Sequence, residues 1–405
     1  MPIKLITFAI SAFCLAGSFA AAQSKDETPL GRSGVRIGTV LLQPTLNLRT
    51  QYDDNIFRQE TGRQASAIVS ARAEATAKTD WRRHSVEVNT AVEFGRFTAS
   101  SDDDYVDGRI NAAGILDISR SKRFRLRAGI ERRHERRGGD DTPSTLNGPV
   151  KEFAGYVEAT GQYAAARLKI QPGVKIERRD FQDRRLIGGG VGDQDDRDRR
   201  IVTGAVEVGY NLPGPFELTA RTDLSRTDFN RDRDRGGFDR DNTTLRFLAG
   251  ARIDQERLVS GGIEVGYQKR WSDDPTLADF SGLAAEAQLK WRPRRYLTFS
   301  AKARRGEEET TIMGASAASV ASGEVEAIYE VRRFIDMKAV IGYERKVFRG
   351  AGRRDKTLLL GVGADWLVRE ATTLSARYRH ISESSNAPGE SSRANLIWVA
   401  VEHRF

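Results

Sequence analysis

The sequence predicts an all-β fold, a transmembrane antiparallel up-and-down β-barrel of about 18 strands, with 16 strands as the alternative. Three observations predict it. Apolar and polar residues alternate over most of the chain, short and long connections alternate between these segments, and the chain ends in a strand whose last residue is Phe405. Because strands in lipid can leave no edge unpaired, such a sheet must close on itself.

The first residues of the chain precede the predicted barrel. Lys4 supplies a short positive region, residues 5–19 form an apolar run, and Ala20 and Ala22 are the small residues of a cleavage site. The apolar run is shorter than the roughly 20 residues that a membrane-spanning helix needs, which argues against the alternative of an anchor. The expected organisation is a cleaved signal peptide at 1–22, a short disordered or periplasmic leader at 23–38, and the outer-membrane barrel at 39–405.

The composition excludes several classes of protein. Charged residues make up 30% of the chain, hydrophobic residues 39%, and the mean hydropathy is −0.52. A barrel gives this average because only alternate residues of each strand face lipid. The formal charge of +9 does not point to nucleic acid, because arginines and aspartates are interspersed and the signal directs secretion. Cys14, the single cysteine, lies in the signal, which excludes disulfides and thiolate metal sites from the mature chain.

Strand periodicity carries the fold prediction. Leu168, Ile170 and Val174 share one face, opposed by Lys169 and Lys175 on the other. A helical reading fails because residues three and four apart repeatedly pair an apolar side chain with a lysine or arginine. The segment 65–79, with a mainly alanine outward face, is the weakest member. The predicted strands lie near 40–52, 65–79, 83–98, 105–118, 122–136, 151–164, 167–181, 199–212, 215–229, 242–255, 257–271, 280–292, 295–306, 319–331, 333–348, 355–368, 371–382 and 393–405.

The connections and the last strand resemble those of outer-membrane barrels of Gram-negative bacteria. Nine long connections, such as 182–197 and 230–241, alternate with eight short ones, such as 80–82. Barrels of this kind place short turns in the periplasm and long loops outside, so both chain ends are expected in the periplasm. The resemblance also implies that Phe405 is the signal read by the barrel assembly machinery, which would be a partner.

A short motif follows the first predicted strand. Tyr52, Asp53, Asp54, Asn55 and Phe57 resemble the motif near the mature N-terminus of the β-barrel porin 2 family. The resemblance implies an outer-membrane barrel of about this length, often associated with exopolysaccharide synthesis and export. From the residues alone, the Asp-Asp-Asn run could end the strand in a turn, ligate a cation or meet a sugar.

The lumen face of the predicted strands is rich in charge of both signs. One interpretation is a salt-bridged wall that holds the shape of the barrel, since opposite charges on neighbouring strands can pair. The other is a polar conduit that attracts anionic or polyhydroxylated solutes. The candidate pore-lining residues are Arg125, Arg127, Glu131, Lys169, Lys175, Glu177, Arg221, Arg252, Lys302, Arg304, Arg377 and Arg379.

The remaining motifs favour no enzyme. The four histidines are scattered, and His380 beside Ser382 is the one local nucleophile candidate. No metal and no cofactor are expected. The charge-dense long loops are expected to be solvated, although they could contact lipopolysaccharide. The sequence therefore predicts a polar pore for small hydrophilic solutes or exopolysaccharide; the alternative is a structural or surface-interaction barrel with a loop-plugged lumen.

Overall fold

The structure is a computed structural model that describes residues 34–139, 142, 145–253, 258–310, 312 and 314–405. The predicted signal peptide at 1–22 and the first part of the leader lie outside these residues. The described part forms one closed antiparallel sheet, a small two-stranded sheet of Arg184–Arg185 with Val191–Gly192 in a loop, and two short 3₁₀ turns. The barrel strands in chain order are β1 Val40–Asp53, β2 Ser66–Thr79, β3 His84–Phe97, β4 Tyr105–Asp117, β5 Lys122–Glu135, β6 Val150–Ala165, β7 Leu168–Phe181, β8 Arg199–Asn211, β9 Phe216–Phe229, β10 Asn242–Ile253, β11 Val259–Ser272, β12 Phe280–Arg294, β13 Leu297–Glu308, β14 Ala317–Arg332, β15 Ile335–Arg349, β16 Arg354–Arg369, β17 Thr372–Ser385 and β18 Ser392–Arg404.

These strands confirm the prediction of 18 and exclude the alternative of 16. The largest difference from a predicted boundary is three residues, at the end of β17, where the strand reaches Ser385. The alanine-rich β2 is paired along both edges, with β1 and with β3. Closure is made by β1 and β18, whose register runs from Thr45↔Arg404 to Asp53↔Leu396. Each barrel strand is thereby paired with a neighbour on both sides, which closes the sheet as a membrane barrel requires.

The end of the leader is more regular than the sequence suggested. Val35–Ile37 forms a short strand that folds back on the start of β1, with Val35 opposite Leu42. Gly38, at φ +60°, supplies the left-handed residue that the tight turn needs. This part of the leader is therefore one arm of a hairpin, so of the two expectations, a disordered or a periplasmic leader, disorder does not hold for these three residues.

The connections divide the barrel into two ends. Eight connections of two to five residues lie at one end, here called the short-turn end, together with the start of β1 and the end of β18. Nine connections lie at the other, the long-loop end, although the one between β15 and β16 has only four residues, 350–353. Both ends of the barrel sequence are on the short-turn side.

The two faces of the wall differ in how far their apolar side chains are exposed. On β18, the outward Ile397 and Val399 are 54% and 57% exposed, whereas the inward Leu396 and Trp398 are almost fully buried. Exposure of large apolar side chains on one face and their alternation with polar ones is typical of a wall that faces lipid. No helix among the described residues is long and apolar enough to cross a membrane.

Candidate functional site in the barrel lumen

The candidate pore-lining residues occupy inward positions of their strands. On β5, Leu126 and Ile130 are exposed on the outer face, and Arg125 and Arg127 alternate with them. Residues that lie opposite each other in a ladder share a face, so each inward residue identifies others on the neighbouring strands. The register pairs Glu131 with Arg109, Arg221 with Glu207, Arg252 with Glu217, Lys175 with Glu158, Lys302 with Glu324, and Arg379 with Leu396.

Many of these cations are bound by carboxylates in the wall. Arg252 donates to Glu207 and Glu264, with 2.6 Å to the nearest oxygen of each, and all three side chains are buried. Arg221 lies 2.9 Å from Asp223. Other members of the candidate set follow the same pattern, with Arg127 on Glu158, Lys169 on Glu217 at 3.5 Å, Lys175 on Glu177 at 2.5 Å, Arg304 on Glu308 at 2.8 Å and Arg377 on Asp365 at 2.5 Å.

Three candidate cations form no ion pair with any residue that the structure describes. They are Arg125, Lys302 and Arg379. Lys302 is exposed. Arg379 instead stacks on Trp398, with its guanidinium carbon 5.3 Å from the ring centroid. An unpaired cation keeps its charge available to a solute, so these residues differ from the neutralised arginines of the wall.

A cavity of about 320 Å³ lies within the barrel toward the long-loop end. Nine lysines and arginines and six acidic residues line it, an excess of three positive charges. The cationic lining residues are Arg133, Lys175, Arg179, Arg197, Arg199, Arg246, Arg270, Arg304 and Lys346.

The sequence prediction found only part of this cavity. Lys175 and Arg304 were among the candidates, whereas Arg179 and Arg270 were missed. Arg179 stands two residues after Glu177 on the same face and binds it at 2.6 Å, so strand alternation carried to the strand end would have found it. Arg197 lies in a loop, where no periodic signal exists.

The family motif forms a buried junction between the first and last strands. Asp53 receives two hydrogen bonds of 2.9 Å from Arg58, and its carboxylate is fully buried. Asn55 donates to the carbonyl oxygen of Arg393 at 2.9 Å. Asp54 accepts from the backbone and side-chain nitrogens of Asn395 at 2.7 and 2.6 Å. The polar motif residues are thus engaged in a turn and in barrel closure. Tyr52 projects outward and is half exposed.

The apolar part of the motif folds into the barrel. Ile56 and Phe57 are buried in a cluster with the inward-facing Ile68, Phe97 and Tyr105. Arg137 covers Phe57, with 4.2 Å between the guanidinium carbon and the ring centroid. The first long loop therefore fills part of the mouth of the lumen. We call this group, Asp53 to Arg58 with the three wall residues, the mouth cluster.

The charge-dense long loops interlock. Arg231 reaches from one loop to Asp193 and Asp195 of another at 2.5 and 2.8 Å. Arg197 binds Glu135 at 2.8 Å, and both Arg197 and Asp196 are buried. The loops were expected to be solvated, and Arg231, Asp193 and Asp195 do stay 33–49% exposed, but ion pairs also join one loop to another.

Two loop carboxyls have perturbed acidity. Burial acts to raise the pKa of Asp193, but hydrogen bonds from Arg231 and from the backbone of Asp195 lower it overall. Burial, reinforced by the charges of Asp180 and Asp195, raises the pKa of Asp198 to about 6 although the Phe181 N–H donates to it at 2.6 Å. Asp183, Asp193 and Asp195 bring three carboxylates together, and Arg231 neutralises two of them.

The histidines do not assemble a catalytic group. His380 lies on the outward face, 2.9 Å from Asn395 Oδ1, and no carboxylate orients it in the described structure. His134 is buried against Tyr105, with ring centroids 3.8 Å apart, and its Nδ1 lies 2.9 Å from Asp107. No nucleophilic serine or cysteine makes a described hydrogen bond to either ring.

Several solved structures have a fold similar to that of this chain. The copper transporter OprC superposes with a TM-score of 0.50 at 10% identity, over 92% of this chain and 82% of that one. The outer membrane protein OpdK and the protein OpdL, both from Pseudomonas aeruginosa, give TM-scores of 0.46 and 0.47 at 11% and 10% identity. The OpdK match covers 90% of this chain and 99% of that one, and the OpdL match 91% and 99%. No curated protein matches the chain in sequence.

The family model described as "Putative beta-barrel porin 2" matches residues 28–405, nearly the whole chain. This agrees with the motif at Tyr52 to Phe57 and with the closed sheet of 18 strands. A porin family places the protein in the outer membrane and among channels rather than enzymes. The chain belongs to the β-barrel porin 2 family.

Proposed function

We propose that the barrel is a porin-like channel that favours anionic hydrophilic solutes, with its long loops outside the cell and both termini in the periplasm. The charged cavity carries the proposal. Nine cationic and six acidic side chains line it, and a lumen with excess positive charge concentrates anions. Lys302, two residues before Arg304 on β13, and Arg379 on β17 form no described ion pair and add to this field.

The solute class includes acidic polysaccharide as well as small anions. A uronic or pyruvylated sugar presents carboxylates to the arginines and hydroxyl groups to the carboxylates of the same wall. Arginine binds carboxylates through paired hydrogen bonds, which gives geometric selectivity as well as charge. In this proposal, the same chemistry explains the exopolysaccharide association that the family resemblance implies.

Single-channel recording tests the proposal. The refolded mature barrel is inserted into a planar bilayer under a KCl gradient, and the reversal potential is measured. We expect stable conductance with preference for chloride. Acidic oligosaccharides should block the current at lower concentrations than neutral oligosaccharides of equal length. Equal block by both would contradict the proposed solute class.

Charge reversal at an unpaired position sharpens this test. Lys302→Glu should shift the reversal potential toward cation preference, because Lys302 forms no described ion pair whose loss would disturb the wall, although Glu324 lies opposite it in the ladder. Lys122→Glu makes the same charge change on the outward face at the short-turn end and should leave the reversal potential unchanged. A shift of equal size in both variants would mean that the lumen charge does not set selectivity.

A plugged structural barrel is the second candidate, and the mouth cluster favours it. Ile56 and Phe57 occupy space inside the wall, and Arg240 is buried where it donates to the carbonyl oxygens of Thr310 and Ala315, both at 2.8 Å. Absence of conductance from a folded, heat-modifiable barrel would support this candidate and reject the channel.

A further inference from the structure

Outward-facing charge is concentrated at one end of the barrel. Among the outward positions of the described strands, the short-turn half holds Lys122 and three strand-end arginines, Arg294, Arg332 and Arg369, which register shifts place opposite outward residues. Aromatic and aliphatic residues such as Trp291, Tyr329 and Trp366 occupy most of that half. The outward cations of the long-loop end are Arg96, Arg132, Lys151, Arg178, Arg200, Arg226, Lys269, Arg305, Arg345, Arg349, Arg354, Lys356 and Arg393.

We call these outward cations of the long-loop end the cation belt. Part of the cation belt is already neutralised within the protein. Arg226 lies 2.7 Å from both Asp228 and Asp273 and 3.4 Å from Asp241. Arg132 covers the outward Phe153 and donates to the carbonyl oxygen of Val106. These arginines are held by the protein itself and offer little to an outside ligand.

The wall opens locally between β12 and β13. Their ladder stops at Ala285↔Arg305, so the first residues of β12 pair only with β11 and the last residues of β13 only with β14. A cavity of about 370 Å³ lies at this gap on the long-loop side. Gly282 and Gly306 are among its lining residues and contribute no side chain to fill it.

Four arginines line this cavity, and no acidic residue does. They are Arg305, Arg345, Arg349 and Arg354, each exposed and none in an ion pair with any described residue. Arg305 and Arg345 both lie opposite Ala321, from its two sides, which places them in one row across the wall. Arg349 is oriented by Ser319, at 3.2 Å, and by the Phe280 ring.

We propose that this cavity binds the phosphate groups of lipopolysaccharide in the outer leaflet, with acyl chains against the apolar wall below. Clustered arginines without acidic neighbours match phosphate geometry and charge. Leu283 and Tyr343, 47% and 46% exposed, provide the apolar surface next to the cations. This lipid site rests on the proposed function, in which the long-loop end lies outside the cell, because only the outer leaflet carries lipopolysaccharide.

The test uses the full mature barrel refolded in detergent. Bisphosphorylated lipid A and its dephosphorylated form are titrated separately, and the bound fraction is measured by native mass spectrometry. We expect the bisphosphorylated lipid to bind and the dephosphorylated lipid to bind at least tenfold more weakly. Inorganic phosphate in millimolar excess should not displace the lipid. Equal binding of the two lipids, or displacement by free phosphate, would overturn the proposal.

Substitutions locate the site. Arg305→Gln, Arg345→Gln and Arg354→Gln combined should weaken binding roughly a hundredfold, since each basic residue near a lipid surface contributes about a fivefold factor. The control removes three exposed arginines at the short-turn end, where β12 joins β13. These substitutions, Arg292→Gln, Arg294→Gln and Arg295→Gln, should change binding less than twofold. Equal losses in both triple variants would reduce the effect to total charge and reject the site.

A charge-preserving variant guards against misfolding. Lysine at positions 305, 345 and 354 should retain most of the binding if charge is what the lipid recognises, and heat modifiability reports whether each variant is folded. If folded lysine and glutamine variants bind equally poorly, the cavity does not act through charge and the proposal fails. Conductance plays no part in this measurement, so a non-conducting barrel would refute the channel and leave the lipid site standing.

Discussion

The two ends of the barrel solve different physical problems. At the long-loop end, inward side chains are buried, loops are joined by ion pairs, and the outer face carries a belt of cations. At the short-turn end, connections are two to five residues long and the outer face is mainly apolar and aromatic. Tyr296 and Tyr329 pack edge to face there, with ring centroids 5.7 Å apart.

The difference indicates where specificity is built. Short turns need little beyond tight backbone geometry, so the short-turn end is held by the ladder and by lipid contact. Long loops have a larger entropic cost of ordering, which must be offset by buried contacts. The mouth cluster and the loop ion pairs supply them, and this concentrates the specific interactions of the protein at one end.

The largest effect is expected at the mouth cluster. Asp53→Ala removes the ion-pair partner of Arg58 and, at 3.7 Å, of Arg136, and it leaves both buried guanidiniums without a described ion pair. Loss of one partner from a buried ion pair costs about 3–5 kcal/mol. The free energy of unfolding in urea, followed by tryptophan fluorescence of the refolded barrel, should fall by this amount.

The short-turn end supplies the control for that substitution. Glu402 and Arg404 form an ion pair at 3.1 Å whose side chains are 33% and 43% exposed. Because exposed pairs contribute about 0–1 kcal/mol, Glu402→Ala should change the free energy of unfolding by no more than that. Equal losses for the two variants would remove the distinction between the ends.

A somewhat smaller loss is expected from Phe57→Ala. The substitution empties the centre of the mouth cluster and should cost about 3 kcal/mol, with local unfolding of the first long loop. Protease cleavage within residues 54–65 should become faster, and in a conducting barrel the single-channel current should rise. Phe334→Ala, in an exposed short turn, should affect neither measurement. Unchanged current with a cleaved loop would show that this loop does not limit the pore.

The fold could be predicted from the sequence because the signal is local. Alternation of period two specifies which face is apolar, and short turns such as Leu212 to Pro215 specify where strands end. The pairing of consecutive strands then follows, since two or three residues can only join antiparallel neighbours. The hairpin arm Val35–Ile37 was missed because three residues are too few for a periodic signal.

The site could be predicted only in part because it depends on loop folding. Strand alternation identified Lys175 and Arg304, but nothing local indicates that Arg197 turns back to Glu135 or that Phe57 enters the lumen. One recurrent pattern was available. Phe97, Phe181 and Phe229 each end a strand and donate a backbone N–H to the aspartate that precedes the next strand. These partners are Asp104, Asp198 and Asp241.

The smallest expected effect concerns the pKa of Asp198, one of the three aspartates in this pattern. The pKa of Asp198 is raised to about 6 by burial and by its acidic neighbours, whereas an unfolded aspartate titrates near 4. Between these values the folded loop holds a proton that the unfolded loop has lost, so its stability decreases as pH rises through this window. Asp193 does not contribute there, because its lowered pKa lies below the window.

Limited proteolysis at two pH values measures this effect. Cleavage within 182–198 of the refolded barrel should be faster at pH 7.5 than at pH 5, after normalisation to an unstructured peptide cut by the same protease. In Asp198→Asn the difference should disappear, because the amide cannot ionise yet still accepts from the Phe181 N–H. Asp241→Asn, the equivalent change in the neighbouring loop, should preserve the difference. If it abolishes the difference as well, the pH response belongs to the interlocked loops as a whole, through Arg231 and its partners.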